Sequence, residues 1–148
     1  MTDQQYLRYR ESAEADYADN IAKAGVMPLP EAREKAREDY RQLLPDGLAS
    51  AGHHLWTAYD SDDEVGMVWL HIDEKSDGTH AFGYDFEVRP ELRRKGYGRM
   101  IMQAVEQLCR ERGVGSIGLS VFGNNLGARA LYEEMGFEVT RIQMRKLL

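Results

Sequence analysis

Cys109 is the only thiol in a chain of 148 residues, so no disulfide can form within it. No run of 18 apolar residues occurs, and no membrane span is predicted. The opening stretch MTDQQYLRYRESAEADYADN is polar and acidic, without the cationic start and apolar run of an export signal. These absences together predict a reducing, cytoplasmic setting. Repeats and low-complexity tracts are missing too, and the length suits one domain around one core. The four histidines, His53, His54, His71 and His80, lack metal-ligand spacing. Adjacent strand residues point in opposite directions, so His53 and His54 do not share an ion, and no metal is expected.

Net charge is −6, which argues against a general nucleic-acid binder. The distribution is uneven. Residues 1–87 hold 19 Asp/Glu against 8 Lys/Arg, whereas residues 88–148 hold 6 against 11. The sign changes at VRPELRRKGYGRM, Val88–Met100, with five cationic side chains and two glycines in thirteen residues.

Apolar periodicity predicts the elements. Thr2 or Asp3 can cap a first helix, on which Tyr6, Arg10, Ala13, Tyr17, Ile21 and Ala24 share a face, and Gly25 ends it. EAREKAREDYRQLL reads as a second helix. His54–Tyr59, Glu64–Ile72 and Thr79–Val88 read as an antiparallel meander whose middle strand, VGMVWLHI, is apolar on both faces and therefore buried. Gly98–Arg112 reads as a helix with Ile101, Met102, Val105, Leu108 and Cys109 inward, which makes Cys109 a core residue rather than a nucleophile. SIGLSV is a short strand parallel to the one before the helix. Asn125–Met135 is a further helix, and Phe137–Met144 a last strand. Trp56 and Trp69 lie in strands, as core or cleft wall. The expectation is an α+β fold, a mixed, mostly antiparallel sheet flanked by helices.

The basic turn joins a strand to a helix. The first N–H groups of a helix have no internal partners and carry positive potential. Gly96 and Gly98 allow φ > 0 and close backbone approach, so successive amides can form a concave nest, ringed by Arg93, Arg94, Lys95 and Arg99. A diphosphate is the natural guest. Gly98 is followed by Arg99 and Met100 rather than Lys-Ser/Thr, so this is not a P-loop. Position 101 is Ile and the preceding strands form a meander, so it is not a Rossmann fingerprint. Alone, the turn fits a plain strand-to-helix connection equally well.

RRKGYG, Arg93–Gly98, resembles the Arg/Gln-x-x-Gly-x-Gly/Ala motif of the GNAT superfamily of N-acetyltransferases. NLGARALYEEMGF, Asn125–Phe137, resembles the family's second signature, and the order of elements from residue 52 onward agrees. The resemblance implies one GNAT-like domain over residues 1–148, with acceptor-side helices in 1–51 and an acetyl-coenzyme A core in 52–148. It implies that acetyl-coenzyme A is the co-substrate. Its pyrophosphate would sit on the loop Arg93, Arg94, Lys95, Gly96, Tyr97, Gly98, Arg99. Its pantetheine arm would pair with the strand at Val88, in a gap between this strand and the next, and would be held by Asn125. The chain departs from the family at the front, where members begin with a strand. Here that first strand is expected to be absent or to lie ahead of the given start.

Acetyl transfer to an amine poses two proton problems. An ammonium must lose a proton before attacking, and the leaving thiolate gains from a donor. The resemblance implies Tyr132 as the acid, against the plainer reading of a Tyr packed on the sheet. It implies Glu87 as the base, against a strand carboxylate that faces solvent or pairs with an Arg. Glu87 and Asp85 are expected on one strand face, with Tyr84, Phe86 and Val88 on the other. His54 is a second choice of base. The acidic first half suggests a cationic amine as acceptor, whether a small molecule or a protein amine. The alternatives are a non-catalytic acyl-coenzyme A sensor, or a module that binds nucleotides or anionic peptides through the loop alone. No nucleic-acid or membrane partner is expected. Family members are often dimers, and an unpaired final strand could extend the sheet across subunits.

Overall fold

A computed structural model describes residues 1–146. Two helices come first, α1 (Asp3–Lys23) and α2 (Leu29–Leu43). Thr2 caps α1 through a reciprocal box. Its hydroxyl accepts from the Gln5 N–H, and the Gln5 side chain accepts from the Thr2 N–H at 2.8 Å. Gly25 follows α1 with φ +68°, in the left-handed region that stops a helix at no steric cost. Pro28 and Pro30 then set the entry to α2.

Four strands follow, β1 (His53–Asp60), β2 (Asp63–Lys75), β3 (Gly78–Val88) and β4 (Val114–Leu119), in one sheet of order β1-β2-β3-β4. The first three pair antiparallel, and β4 joins β3 in parallel through α3 (Tyr97–Glu111). Helix α4 (Leu126–Glu134) comes last. The mixed α+β architecture is the one expected. As its double-sided apolarity predicted, β2 is interior and buried from Val65 to Leu70.

The two sheet faces carry separate cores. Val65, Val68, Leu70 and Ala81 pack on Ile101, Val105 and Cys109 of α3. Leu55, Met67 and Trp69 pack on Ala13 of α1 and Tyr40 of α2. Cys109 is 2% exposed, and burial raises its thiol pKa, consistent with a core role. Trp69 is also buried, against Tyr40 at 5.4 Å between ring centres. Among the described residues no helix is long and apolar enough to cross a membrane.

Two expectations need correction. The predicted strand Phe137–Met144 does not form, and residues 137–146 carry no helix or strand. A strand is defined by its ladder. This segment has none, and Val139, Ile142 and Met144 remain exposed. Second, strict alternation fails in β3. Leu70 pairs with Gly83 and Trp69 with Asp85, so Tyr84 is an extra, bulged residue. Tyr84 therefore stacks on Trp69 (4.9 Å), on the same face as Asp85 rather than with Phe86 and Val88.

Candidate active site

Strand β3 is longer than its partner on one side. Its ladder with β4 ends at Gly83–Leu119, while its ladder with β2 continues to Val88. Residues 84–88 thus have one edge paired and the other facing a fork, whose far arm leaves β4 through Phe122 toward α4. Val88 and Phe86 are half-buried on the α3 side. The Val88 carbonyl accepts from Arg93 Nε at 3.0 Å.

The glycine–arginine loop closes the open end of the fork. Arg94 (φ +62°) and Gly96 (φ +92°) are both left-handed, and Gly96 begins α3 without a side-chain cap. The Arg93 N–H bonds Pro90 O and the Met100 N–H bonds Gly96 O. Between them, the N–H groups of residues 94–99 find no acceptor among the described residues. A Cβ on Gly98 would come within 3.1 Å of Leu131 Cδ2, so any larger residue there requires the Leu131 side chain to give by a few tenths of an ångström where the first turn of α3 meets α4. Arg93, Arg94, Lys95 and Arg99 are exposed around the nest, with Arg99 paired to Glu134. Tyr97 faces away from it and donates to Asp60 at 2.9 Å. Unpaired amides, left-handed turns and surrounding cations form an anion cradle that fits a diphosphate.

Tyr132 of α4 lies beside the fork, 6.4 Å from Phe86 and 5.5 Å from Phe137 between ring centres. Burial, and then the Asp85 charge, push its pKa up to about 12, so its hydroxyl keeps its proton. Asn125 is the N-cap of α4 rather than a helical residue. Its carboxamide oxygen accepts from the Ala128 N–H at 3.2 Å, and its NH2 group has no acceptor among the described residues.

On the opposite sheet face, Glu87 lines a polar cleft of about 260 Å³ with Gln5, Arg8, Tyr9, Glu64 and Arg89. By surface area Glu87 is exposed, yet crowding around its carboxyl and the charges of Asp85 and Asp16 raise its pKa, against a smaller lowering by Arg93. Sequence reasoning gave no role to Asp85, Tyr9 and Tyr40. Tyr9 of α1 donates to Asp85 Oδ2 at 2.7 Å and bonds the Tyr40 hydroxyl of α2 at 3.0 Å. Asp85 Oδ1 accepts from the Phe86 N–H at 2.8 Å. Burial raises the Asp85 pKa, partly offset by these two donors.

His54 does not join this group. It stacks on Trp56 at 5.2 Å on the α3 side of the sheet, with Arg112 over the Trp56 ring. A larger apolar cavity of about 350 Å³, between β1 and α3, is lined by none of Asp85, Glu87 and Tyr132. No group of three or more His, Cys, Asp or Glu among the described residues is arranged to hold a metal.

A family model described as "Acetyltransferase (GNAT) family" matches residues 17–137. The chain is 34% identical to "Uncharacterized N-acetyltransferase YycN" of Bacillus subtilis (strain 168), over 100% of this chain and 96% of that one. The crystal structure of that putative acetyltransferase superposes with a TM-score of 0.95, over 100% of this chain and 95% of its own. "Streptothricin acetyltransferase" of Streptomyces lavendulae is 43% identical over 106 residues, covering 65% of this chain and 56% of that one.

Proposed function

Because the chain belongs to the GNAT family of N-acetyltransferases, we propose that it moves the acetyl group of acetyl-coenzyme A directly onto a primary, cationic amine. One observation carries the donor side. Six consecutive backbone N–H groups, 94–99, have no backbone acceptor among the described residues, at the open end of a fork between two parallel strands. In this reading the loop binds the pyrophosphate. The unpaired edge of residues 84–88 and the Asn125 NH2 group hold the arm that runs from it into the fork.

The acceptor side is the α1/α2 face of β3. It is acidic and aromatic there. The Asp16 charge acts on Asp85 and Glu87, the Asp85 charge acts on Glu87, and Asp39 lies near Tyr84 and accepts from the Tyr17 hydroxyl at 3.3 Å. Carboxylates and tyrosine rings together favour an ammonium. A carboxylate of this face removes the ammonium proton, and Tyr132 supplies a proton to the departing sulfur. The name of the streptothricin-acetylating relative is compatible with a small amine but does not select one.

The test is thiol release from acetyl-coenzyme A with spermidine, kanamycin and N-α-acetyl-lysine amide, alongside calorimetric titration of coenzyme A. Binding together with turnover of at least one amine is expected. Tight binding without turnover on any amine would replace the enzyme reading with a sensor. Equal competition by ADP and coenzyme A would remove the role of the fork.

A further inference from the structure

Two strand carboxylates face the acceptor side, and their surroundings differ. Glu87 opens onto the polar cleft and has Arg93 near it. Asp85 is half-buried and sits two residues past the last β3–β4 pair, Gly83–Leu119, at the vertex of the fork. At about 3.3 Å per residue, Glu87 lies roughly 7 Å further along the strand, toward the phosphate loop. An arm that enters at the loop and lies along the gap reaches furthest where the gap closes. That point is at Asp85, whose charge is also the one that acts on Tyr132. The bulge at Tyr84 turns Asp85 onto the face of α1. Tyr9 then holds one carboxylate oxygen and the Phe86 N–H the other.

Resting on the acetyl-transfer reading above, we propose that Asp85, not Glu87, takes the proton from the acceptor ammonium, and that Tyr9, braced by Tyr40, is the positioning residue that aims the carboxylate. The step balances as follows. An ammonium N–H bond breaks, its electron pair stays on nitrogen, and the proton goes to Asp85. The nitrogen pair forms the bond to the acetyl carbon. The carbon–sulfur bond breaks with its pair on sulfur, which takes the Tyr132 proton. The second N–H proton, acidic on the acylated nitrogen, restores the Tyr132 hydroxyl. Asp85 releases its proton through Tyr9, which also borders the polar cleft, so one proton leaves per acetyl group moved.

Ionisable neighbours face Asp85 from each packed element: Tyr9 and Asp16 from α1, Tyr40 from α2, Glu87 from β3 and Tyr132 from α4. Arg10 lies over the Tyr40 ring at 4.3 Å and pairs with Glu14. The cross-strand partner from β2, Trp69, does not ionise. Crowding raises the Asp85 pKa and the Tyr9 hydrogen bond lowers it. Activity that needs the carboxylate therefore rises with pH through that pKa, and loss of the Tyr9 hydroxyl moves the rise to higher pH.

The experiment compares wild type, Asp85→Asn, Glu87→Gln and Tyr9→Phe. Three readouts are used: kcat/KM against pH with the best amine of the panel above, calorimetric affinity for acetyl-coenzyme A, and a ¹³C-carboxyl NMR titration without ligands. Asp85→Asn is expected to lose about 10²–10⁴-fold in kcat/KM and the acidic limb, with donor affinity unchanged. Glu87→Gln keeps the limb. The aspartate signal missing from Asp85→Asn titrates above ordinary aspartate in the wild type, and higher again in Tyr9→Phe. If Asp85→Asn keeps its limb while Glu87→Gln loses it, or if that signal titrates normally and ignores Tyr9→Phe, the assignment is overturned. Failure of the wild type to bind acetyl-coenzyme A would instead overturn the reading on which it rests.

Discussion

Replacing Gly96 by alanine isolates the backbone of the Arg93–Arg99 loop proposed above to bind pyrophosphate. The would-be Cβ meets nothing within 4 Å, so no clash contributes. The cost is conformational. Gly96 sits at φ +92°, ψ −11°, where an L-residue is strained by about 1–2 kcal/mol. For a chain of this size that corresponds to a fall in Tm of about 2–8 °C. If the backbone relaxes instead, the amides after it swing away. Each amide–phosphate bond lost costs about 1.5–3 kcal/mol, or about 10–100-fold in coenzyme A affinity. Scanning fluorimetry and calorimetry with coenzyme A read the two quantities. Gly127→Ala is the control, because Gly127 lies in α4 with open space around it and no positive φ. It should gain about 0.5–1 kcal/mol of stability. A Gly96→Ala protein with unchanged Tm and unchanged affinity would refute the claim that this left-handed turn shapes an anion site.

Tyr132→Phe should lower kcat by about 10²-fold with donor affinity preserved, measured by single-turnover thiol release; an unchanged chemical rate would dismiss Tyr132 as the acid. Trp69→Ala should cost about 3–5 kcal/mol in urea unfolding, because the side chain is 2% exposed and fills the core under Tyr40. Asn125→Ala should cost about 0.5–2 kcal/mol through the lost cap and also weaken coenzyme A, whereas Asn125→Asp keeps the cap and exchanges the NH2 donor for an anionic oxygen, weakening coenzyme A alone. Burial and then His71 hold the His53 pKa down at about 4, with Trp69 Nε1 donating to its Nδ1 at 2.9 Å. The unfolded state therefore binds the extra proton first, and stability should drop as pH falls from about 6.5 to about 4. His53→Gln should flatten that slope in pH-dependent unfolding, and an unaltered slope would clear His53 of the effect.

Local chemistry was readable where it governs structure locally. A cap at Thr2 or Asp3, the Gly25 stop, the buried middle strand and the left-handed Gly96 each follow from a few adjacent residues, and the structure places the cap at Thr2. What escaped depends on partners far along the chain. Tyr9, Tyr40 and Asp85 meet across sequence separations of 31 and 76 residues, and no spacing rule connects them. The bulge at Tyr84 is a property of register between two strands, so alternation within β3 alone put Tyr84 on the wrong face. Asn125, expected as the first residue of a helix, lies one residue ahead of α4 because it caps that helix instead of continuing it. The terminal segment has strand-like composition, but composition supplies no neighbour to pair with.

The Tyr9 oxygen joins three elements with a single hydrogen to give. While it donates to Asp85, it must accept from Tyr40, so the two phenols point one way, from α2 through α1 to β3. A proton arriving on the Asp85 oxygen facing it reverses this order. Asp85 becomes the giver, Tyr9 turns its hydrogen to Tyr40, and the Tyr40 hydroxyl must swing its own elsewhere. Each proton gained or lost at the strand is thereby registered as a change of hydroxyl orientation on α2, with no carbon atom required to move.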